Sequence, residues 1–252
     1  DLSVPRELDL DKAWKFKQGD NPDWKSPDFD ASDWQEIEVD RIWEKKGFPD
    51  YDGYAWYRTT VKIPSALKRN AYLKDSLQFH IGKVDDTEQT FLNGFLIGQN
   101  GKTIPYSKRN DIGDFTGDPE AYSYDRLYTL PVKDKRIKWD EENVIAVRVH
   151  DHGGGGGLYE SSPSVSMKDI KDVLKIDIIS SPYNLKESPV ISKPVTIKNT
   201  SKKKSFNGNF LIEIIKSKNE EVVFTQEEEI ELQPGESAEM SFRSEIDISD
   251  MH

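Results

Sequence analysis

Alternating hydrophobic and polar residues along the first two thirds of the chain predict short β-strands joined by polar turns. The strongest local signal is Asn93-Gly94, which lies between the apolar runs Gln89–Leu92 and Phe95–Gly98. An Asn-Gly pair in this setting indicates a two-residue β-hairpin, because both central residues of a type I′ turn need positive φ. Further strands are predicted over 14–16, 35–39, 55–63, 79–84 and 126–131.

The run Val144–Val149 is almost continuously apolar, which is typical of a strand buried on both faces. It leads into His150-Asp151-His152 and then into five consecutive glycines, Gly153–Gly157. The glycines are either a flexible linker or a tight loop whose backbone takes conformations closed to residues with a Cβ. We prefer the tight loop, because the run directly follows a core strand and does not separate two domains.

Three long polar segments interrupt the strands. In the segment 19–34, three aromatic residues at five-residue intervals, Trp24, Phe29 and Trp34, are expected to pin the loop to the domain, with ligand stacking as the alternative for Trp24. A second aromatic loop covers 41–54. Residues 99–126 contain no convincing strand, and a loop of this length in a compact domain is usually functional.

The composition changes after about residue 160. The segment 161–173 is predicted to be a Ser-rich linker region, because the aromatic residues concentrate before it and aliphatic, Glu and Lys residues dominate after it. We therefore predict a first domain over 1–165, a linker over 166–173 and a second domain over 174–252. In the second domain, strands are expected over 174–180, 195–198, 209–215, 221–225, 229–232 and 238–242.

Short strands at this spacing favour an immunoglobulin-like β-sandwich for the second domain. A further strand would be expected just where the sequence stops, so the sandwich is expected to be truncated at its C-terminal end or completed in another way. Together the two parts predict an all-β protein, with one sandwich following another.

Composition narrows the classes of partner. The 252 residues carry a net charge of −11, which disfavours nucleic acid as a partner, since phosphate binding needs a basic surface. The chain has 0 cysteines, so disulfides and thiolate sites are excluded, and this fits an exported bacterial protein, although cytoplasmic proteins can also lack cysteine. No apolar run is long enough to span a membrane. The chain begins at Asp1 without a signal peptide, as expected for a processed chain or a piece of one.

Four motifs occur in an order that resembles a known family: Tyr51–Arg58, Ile81–Asp86, Phe91–Gly94, and Asn143–Val149 with the following glycines. They are similar to the sugar-binding module of glycoside hydrolase family 2, which has a galactose-binding-domain-like jelly-roll fold. The same module occurs in sialate O-acetylesterase-type carbohydrate esterases. The resemblance covers about residues 10–165 and implies a jelly roll that accompanies a separate catalytic domain. An immunoglobulin-like domain after it is the usual order in family 2.

The sequence lacks the catalytic residues that these families use. Family 2 hydrolases carry two glutamates on a barrel, and the esterases need a Gly-Asp-Ser block or a Gly-x-Ser-x-Gly elbow, none of which is present. We therefore predict no catalytic residue in this chain. The parent protein is expected to be an exported glycan-degrading enzyme, periplasmic or on the cell surface.

Two motifs, one acidic and one containing histidine, raise the question of catalysis or metal binding. Asp85-Asp86 could brace loops by hydrogen bonds, contact a ligand or metal, or act as a catalytic pair, and bracing is favoured because adjacent strand residues point to opposite faces. His150 and His152 could ligate zinc, but the 4 histidines of the chain offer no clear third ligand. Calcium suits the oxygen-rich loops better, particularly 110–118, and no cofactor is certain.

Sugar binding requires aromatic rings against C–H faces and polar groups against hydroxyls. The aromatic loops provide both kinds of side chain, around 43–54, 106–126 and 151–160. The predicted ligand-binding residues are Trp43, Tyr51, Asp52, Tyr54, Tyr106, Arg126, Asp151, His152, Tyr159 and Glu160. We predict a non-catalytic carbohydrate-recognition region whose partner is a glycan or the catalytic domain of the same polypeptide. The alternative is a structural scaffold that shapes an active site elsewhere or binds a protein.

Overall fold

The computed structural model describes residues 7–10, 13–104, 113–115, 121–178, 190–216 and 219–245. It divides into two compact units, Asp1–Lys168 and Asp169–His252. The described part is all-β, and its one α-helix is α1 (Leu67–Asn70). Within these residues no helix combines the length and the apolar character needed to cross a membrane.

The first unit contains two larger antiparallel sheets and one two-stranded ladder. Its strands are β1 (Glu7–Asp9), β2 (Ala13–Gln18), β3 (Gln35–Glu38), β4 (Gly53–Lys62), β5 (Ser76–Asp85), β6 (Thr87–Leu92), β7 (Phe95–Asn100), β8 (Thr103–Ile104), β9 (Asp114–Phe115), β10 (Asp125–Pro131), β11 (Glu142–Asp151), β12 (Gly157–Tyr159) and β13 (Ser164–Met167). The five-stranded sheet has the order β1-β13-β5-β10, with β12 also paired to β5. The six-stranded sheet has the order β3-β2-β4-β11-β6-β7, and β8 pairs with β9.

Strand β11 occupies an inner position of the six-stranded sheet, between β4 and β6. Its side chains alternate between two environments, as the period of a strand requires. Ile145, Val147 and Val149 belong to the main hydrophobic core, whereas Ala146 belongs to a separate cluster on the other side of the sheet. The prediction of a strand buried on both faces is therefore confirmed.

The main core is shared by the two larger sheets. It contains Phe79 and Ile81 from β5, Val165 from β13, and Tyr57 and Val147 from the six-stranded sheet. All five residues are completely buried. Two antiparallel sheets that share one apolar interior form a β-sandwich.

The Asn-Gly hairpin forms as predicted between β6 and β7. Asn93 has φ 50° and Gly94 has φ 85°, as a type I′ turn requires. The Asn93 side chain also fixes the hairpin to the rest of the sheet. Its Oδ1 accepts from the N–H of Val144 at 2.9 Å, and its Nδ2 donates to Asn143 Oδ1 at 2.9 Å.

The segment between β2 and β3 covers the outer face of the six-stranded sheet. Trp24, Phe29 and Trp34 pack together there, over Trp56 and Phe91. The prediction that these aromatic residues pin the loop is confirmed. The Arg58 guanidinium, on the same face, donates to the main-chain carbonyls of Trp24 and Phe29 and holds the segment further.

Two predictions about the first unit need correction. The predicted linker starts too early, because Ser164–Met167 forms β13, which pairs with β5 and buries Val165 and Met167. The alternation Ser-Val-Ser-Met belongs to a strand, and the unit continues to Lys168. The segment 99–126 also contains more strand than expected, since β8 and β9 pair within it and β10 begins at Asp125.

The second unit contains five described strands in two sheets. They are β14 (Leu174–Ile178), β15 (Val190–Asn199), β16 (Phe206–Lys216), β17 (Glu221–Leu232) and β18 (Ser237–Glu245). One sheet has the order β14-β15-β18, and β16 pairs with β17 in the other. The two strands predicted over 221–232 are one strand, because the polar run at its middle stays paired with β16. A small core unites the two sheets through Val195, Ile197 and Leu232. The immunoglobulin-like arrangement stays a prediction.

Asn143 provides a test of the interactions that fix the hairpin. Its buried side chain donates to the carbonyls of Lys138 and Glu141 and accepts from the N–H of Lys138 and from Asn93. We expect Asn143→Ala to lower the free energy of unfolding of the first unit by about 2–4 kcal/mol, because several buried polar groups lose their partner.

Urea denaturation followed by tryptophan fluorescence measures this loss. The control is Gln35→Ala, an exposed residue of β3 that should change the free energy of unfolding by less than about 0.5 kcal/mol. Equal effects of the two substitutions would contradict the role given to Asn143.

Candidate functional site

Five acidic residues gather at one end of the first unit, where β5 and β11 both finish. We call Glu44, Asp52, Asp85, Asp86 and Asp151 the acidic cluster. Asp85 ends β5 and Asp151 ends β11. Burial raises the pKa of both carboxyl groups, and the negative charges of the other members of the cluster raise each pKa further.

Arg126 supports this end of β5 from below. Its side chain is 1% exposed, and its Nη2 donates to the carbonyls of Val84 at 2.7 Å and Asp86 at 2.8 Å. Nη1 donates to the carbonyl of Tyr124. The guanidinium thus holds the main chain on both sides of Asp85, so Arg126 positions the acidic residues.

A buried glutamate balances the charge of Arg126. Glu88 Oε1 lies 3.7 Å from Arg126 Nε, and the hydroxyls of Tyr128 and Thr90 donate to the Glu88 carboxylate. Burial raises the pKa of Glu88 to about 7, while these hydrogen bonds and the arginine act in the opposite direction. Glu88, Thr90 and Arg126 are buried, so the network serves the structure beneath the site.

Asp85 and Asp86 act together rather than on opposite faces. They are joined by a cis peptide bond. Burial, a hydrogen bond with the Asp86 side chain and the charge of Asp86 raise the pKa of Asp85 to about 8. Asp86 Oδ2 accepts from the N–H of His152 at 2.9 Å. The expectation that adjacent side chains diverge was wrong here, and the bracing role expected for the pair is real for Asp86.

Asp151 is completely buried, yet one of its oxygens has no hydrogen-bond partner. Oδ1 accepts from the N–H of Gly153 at 2.7 Å, and Oδ2 is left without a donor. Burial raises the pKa of Asp151 to about 6, the hydrogen bond from Gly153 opposes this, and the charges of Asp86, Asp52 and Glu44 add to it. An orphaned carboxylate oxygen costs free energy unless a ligand supplies a donor.

The glycine run forms a tight loop over this cluster. A Cβ on Gly156 would lie 2.2 Å from the ring of Trp43 and 2.6 Å from Asp151 Oδ2, and a Cβ on Gly157 would lie 2.3 Å from the Tyr57 hydroxyl. Gly157 also has φ 99°, a left-handed conformation that favours glycine. The preferred interpretation of the run as a tight loop is confirmed.

Trp43 and Glu44 fix this loop from the other side. The N–H of Trp43 donates to the carbonyl of Gly156 at 2.9 Å, and the N–H of Gly156 donates to Glu44 Oε2 at 3.1 Å. Glu44 Oε1 is buried without a partner, like Asp151 Oδ2. Two carboxylate oxygens near the glycine loop therefore lack donors.

The predicted ligand-binding residues fall into three groups. Asp52, Tyr54, Asp151 and His152 lie at or beside the acidic cluster, where the rings of Tyr54 and His150 are 4.2 Å apart and those of His150 and His152 are 4.3 Å apart. The two imidazoles lie on the same side, as expected.

The second group consists of Tyr159 and Glu160, which follow the glycine loop. The Tyr159 hydroxyl donates to the carbonyl of Tyr122 at 2.8 Å, and Glu160 pairs with Lys83 at 2.8 Å. Strand β12 pairs with the end of β5, where Gly157 lies opposite Asp85 and Tyr159 lies opposite Lys83.

The third group consists of Trp43 and Arg126, which are buried, and Tyr51, which is half-buried. Trp43 lies in the main core, where its indole N–H donates to the carbonyl of Tyr51 at 3.0 Å. The Tyr51 hydroxyl in turn donates to the carbonyl of Tyr54 at 2.5 Å. Together with Arg126, these residues brace the site, and a direct ligand contact for them stays a prediction. Tyr106 lies outside the described residues.

Three members of the acidic cluster are absent from the ligand-binding residues predicted from the sequence. Asp85 and Asp86 were visible as a polar pair in an apolar neighbourhood, but the alternation of a strand argued against a joint role. Glu44 gave no signal, because its relation to Gly156 depends on two segments more than a hundred residues apart.

No group of three or more acidic or histidine side chains among the described residues has a geometry that could hold a metal ion. The calcium expectation for 110–118 falls largely on residues outside the described ranges. At neutral pH the carboxyl group of Asp85 holds its proton, whereas the Asp151 carboxylate is ionised and accepts hydrogen bonds, which suits hydroxyl or ammonium donors.

Comparison with known proteins places the first unit in a family. Residues 19–155, more than half of the chain, match the family described as "Beta-galactosidase second all-beta domain". The beta-galactosidase BoGH2A of Bacteroides ovatus is 24% identical over an alignment of 206 residues, which covers 66% of this chain and 21% of that protein. The chain thus spans about a fifth of the length of this curated relative.

Solved structures show the same fold. A glycosyl hydrolase family 2 member from Bacteroides cellulosilyticus matches with a TM-score of 0.62 and 16% identity, over 95% of this chain and 30% of that one. A beta-glycosidase from Bacteroides vulgatus matches with a TM-score of 0.58 and 18% identity, over 95% and 29%. A beta-glucuronidase from Bacteroides uniformis gives 0.57 and 17%, over 94% and 27%.

The family 2 resemblance is therefore confirmed at the level of an accessory all-β domain of these glycosidases, whereas the esterase connection and the domain order stay predictions. The chain belongs to the family of the β-galactosidase second all-beta domain.

Proposed function

We propose that this chain is a non-catalytic region of a larger family 2 glycosidase and that its acidic cluster binds sugar hydroxyl groups. The observation that carries the proposal is the buried Asp151 carboxylate, whose Oδ2 has no donor and lies beside the glycine loop. A sugar hydroxyl is a donor that would satisfy this oxygen, and carboxylates accept such bonds strongly.

The surroundings of Asp151 support a small polar ligand. The loop is exposed at Gly153 and Gly154, where an added Cβ would meet nothing within 4 Å, so a ligand could approach the main chain there. Tyr54 and His152 provide rings at the edge of the cluster, and Asp52 is exposed beside them. The negative charge favours a neutral sugar over an acidic one.

The relatives indicate which sugar to test. A protein named beta-galactosidase matches 66% of this chain, so galactose is the first sugar to test. Since the chain spans about a fifth of that relative, we place bond cleavage on other parts of the polypeptide.

A second candidate function is a scaffold that shapes an active site elsewhere without binding sugar alone. The chain covers 21% of BoGH2A, and such a small share of a relative favours the scaffold function. In that case the orphaned oxygens of Asp151 and Glu44 would find their donors on another domain.

Galactose titration separates the two functions. We expect galactose to shift the backbone amide signals of His152, Gly153 and Gly156 in ¹⁵N-labelled protein, with a dissociation constant of roughly 1 mM. Asp151→Asn should weaken binding about tenfold, because an NH₂ group, which is a donor, replaces one of the two carboxylate oxygens that accept the hydrogen bond from the sugar hydroxyl.

The matched control is Asp75→Asn, which changes an exposed carboxylate before β5 and should leave the affinity unchanged. The absence of shifts at the glycine loop at high galactose concentration would rule out binding by this chain alone and favour the scaffold.

The raised pKa of Asp85 gives a separate prediction about pH. The folded value of about 8 lies above the ordinary 3.8, so the folded protein holds a proton that the unfolded chain releases. The contribution of Asp85 to stability is therefore greatest below about pH 4 and falls as the pH rises to about 8. Asp85→Asn removes this loss, because the amide stays neutral.

We expect the variant to be more stable than the wild type by about 1 kcal/mol near pH 9, a modest gain because Asp85 is half-exposed and solvent screens its charge. The difference should shrink towards about pH 5. Thermal unfolding of both proteins across this range measures it, and a difference independent of pH would show that Asp85 is not the titrating group.

A further inference from the structure

A cavity of about 360 Å³ opens on the outer face of the six-stranded sheet. Its floor is formed by residues of β2, β3, β4 and β11, and its wall by part of the segment between β2 and β3. The residues that the argument uses are Ala13, Lys15, Phe29, Ser32, Arg58 and Thr60. Its size lies within the usual range of small-ligand sites.

The floor of the cavity carries a buried positive charge. Arg58 is 6% exposed, and its described hydrogen bonds go to two main-chain carbonyls, those of Trp24 and Phe29. These bonds use two of the five N–H groups of a guanidinium. Burial lowers the pKa of Arg58.

No carboxylate compensates Arg58 within the described part of the chain. Its cross-strand neighbour on β2 is Lys15, which pairs with Glu36 on β3 at 3.1 Å. Glu36 therefore neutralises Lys15, and on the other side Arg58 faces the small side chain of Ala146. The cavity keeps one net positive charge in a protein whose total charge is −11.

The other lining residues complete a surface suited to a sugar. Phe29 presents an aromatic ring whose centroid lies 5.8 Å from the Arg58 guanidinium carbon. Ser32 and Thr60 are exposed and carry hydroxyl groups, and Thr60 lies on the same face of β4 as Arg58. The cation of the cavity can pair with a carboxylate of the sugar, its hydroxyls can hydrogen-bond to the sugar hydroxyls, and its aromatic ring can pack against a C–H face of the sugar.

We propose that this cavity binds a carboxylate-bearing sugar, with the carboxylate paired to Arg58 and the sugar ring against Phe29. The site is separate from the acidic cluster, which carries the opposite charge and lies where β5 and β11 end. The two sites would therefore select different sugars, one acidic and one neutral. This inference does not depend on galactose binding at the acidic cluster.

The test compares two sugars that differ only at the position of the charge. ¹⁵N-labelled protein is titrated with sodium D-glucuronate and, separately, with D-glucose, at constant ionic strength. We expect glucuronate to shift the amide signals of Lys15, Ser32 and Thr60, with glucose binding at least tenfold more weakly. Raising the salt concentration should weaken glucuronate binding, because the pairing is partly ionic.

Two substitutions locate the binding. Arg58→Lys keeps the charge but loses the planar donor geometry, so binding should weaken about tenfold. Because Arg58 also holds the loop, a second variant leaves it intact: Ala13→Tyr adds a ring to an exposed position of β2 at the edge of the cavity and should abolish binding. Ala13→Ser is its control and should retain binding.

Any one of the following results would overturn the proposal. Glucuronate could fail to shift the cavity residues, Ala13→Tyr could bind as well as the wild type, or glucose could bind equally well. Inorganic phosphate and acetate are titrated as well. Binding of either as tightly as glucuronate would contradict recognition of the sugar and leave a plain anion site.

Discussion

The fold of the first unit depends on the pairing of β11 along both edges. A strand without a free edge must satisfy every main-chain group through its neighbours, so β4 and β6 are fixed in register along its length. Its two faces then have different tasks. One face supplies the core that the two sheets share, and the other supports the aromatic cover of Trp24, Phe29 and Trp34.

The candidate site follows from where β11 ends. Pairing stops at Asp151, and the chain must turn back at once so that Gly157 can pair with Asp85. Trp43 fills the space below this turn, which leaves no room for a Cβ on Gly156. The loop that results holds Asp151 buried beside Asp85, at a cost in free energy, because burial disfavours the charged form of both carboxyl groups and raises their pKa. Such a cost is typical of functional sites.

Much of the fold could be predicted from the sequence because its signals are local. The Asn-Gly turn and the apolar run before His150 each define an element within a few residues. The strand Ser164–Met167 was mistaken for linker because its alternation is short and its polar positions are serines. The site was harder to predict from the sequence, since Glu44, Asp85 and Asp151 meet only through tertiary packing. Trp43 and Arg126 looked like ligand contacts because the sequence does not show that both are enclosed.

Three buried arginines in the described part of the first unit show how its charges are organised. Arg148 pairs with Asp20 at 2.6 Å, and Arg126 lies 3.7 Å from Glu88, so each has a carboxylate that offsets its desolvation. Arg58 has carbonyl partners alone among the described residues, although the chain has 46 acidic residues to choose from. Structure alone would favour a carboxylate at this position, as at the other two. Among the buried arginines that the structure describes, the one without a carboxylate borders a cavity, and this is better explained by an anionic group that comes from outside the chain.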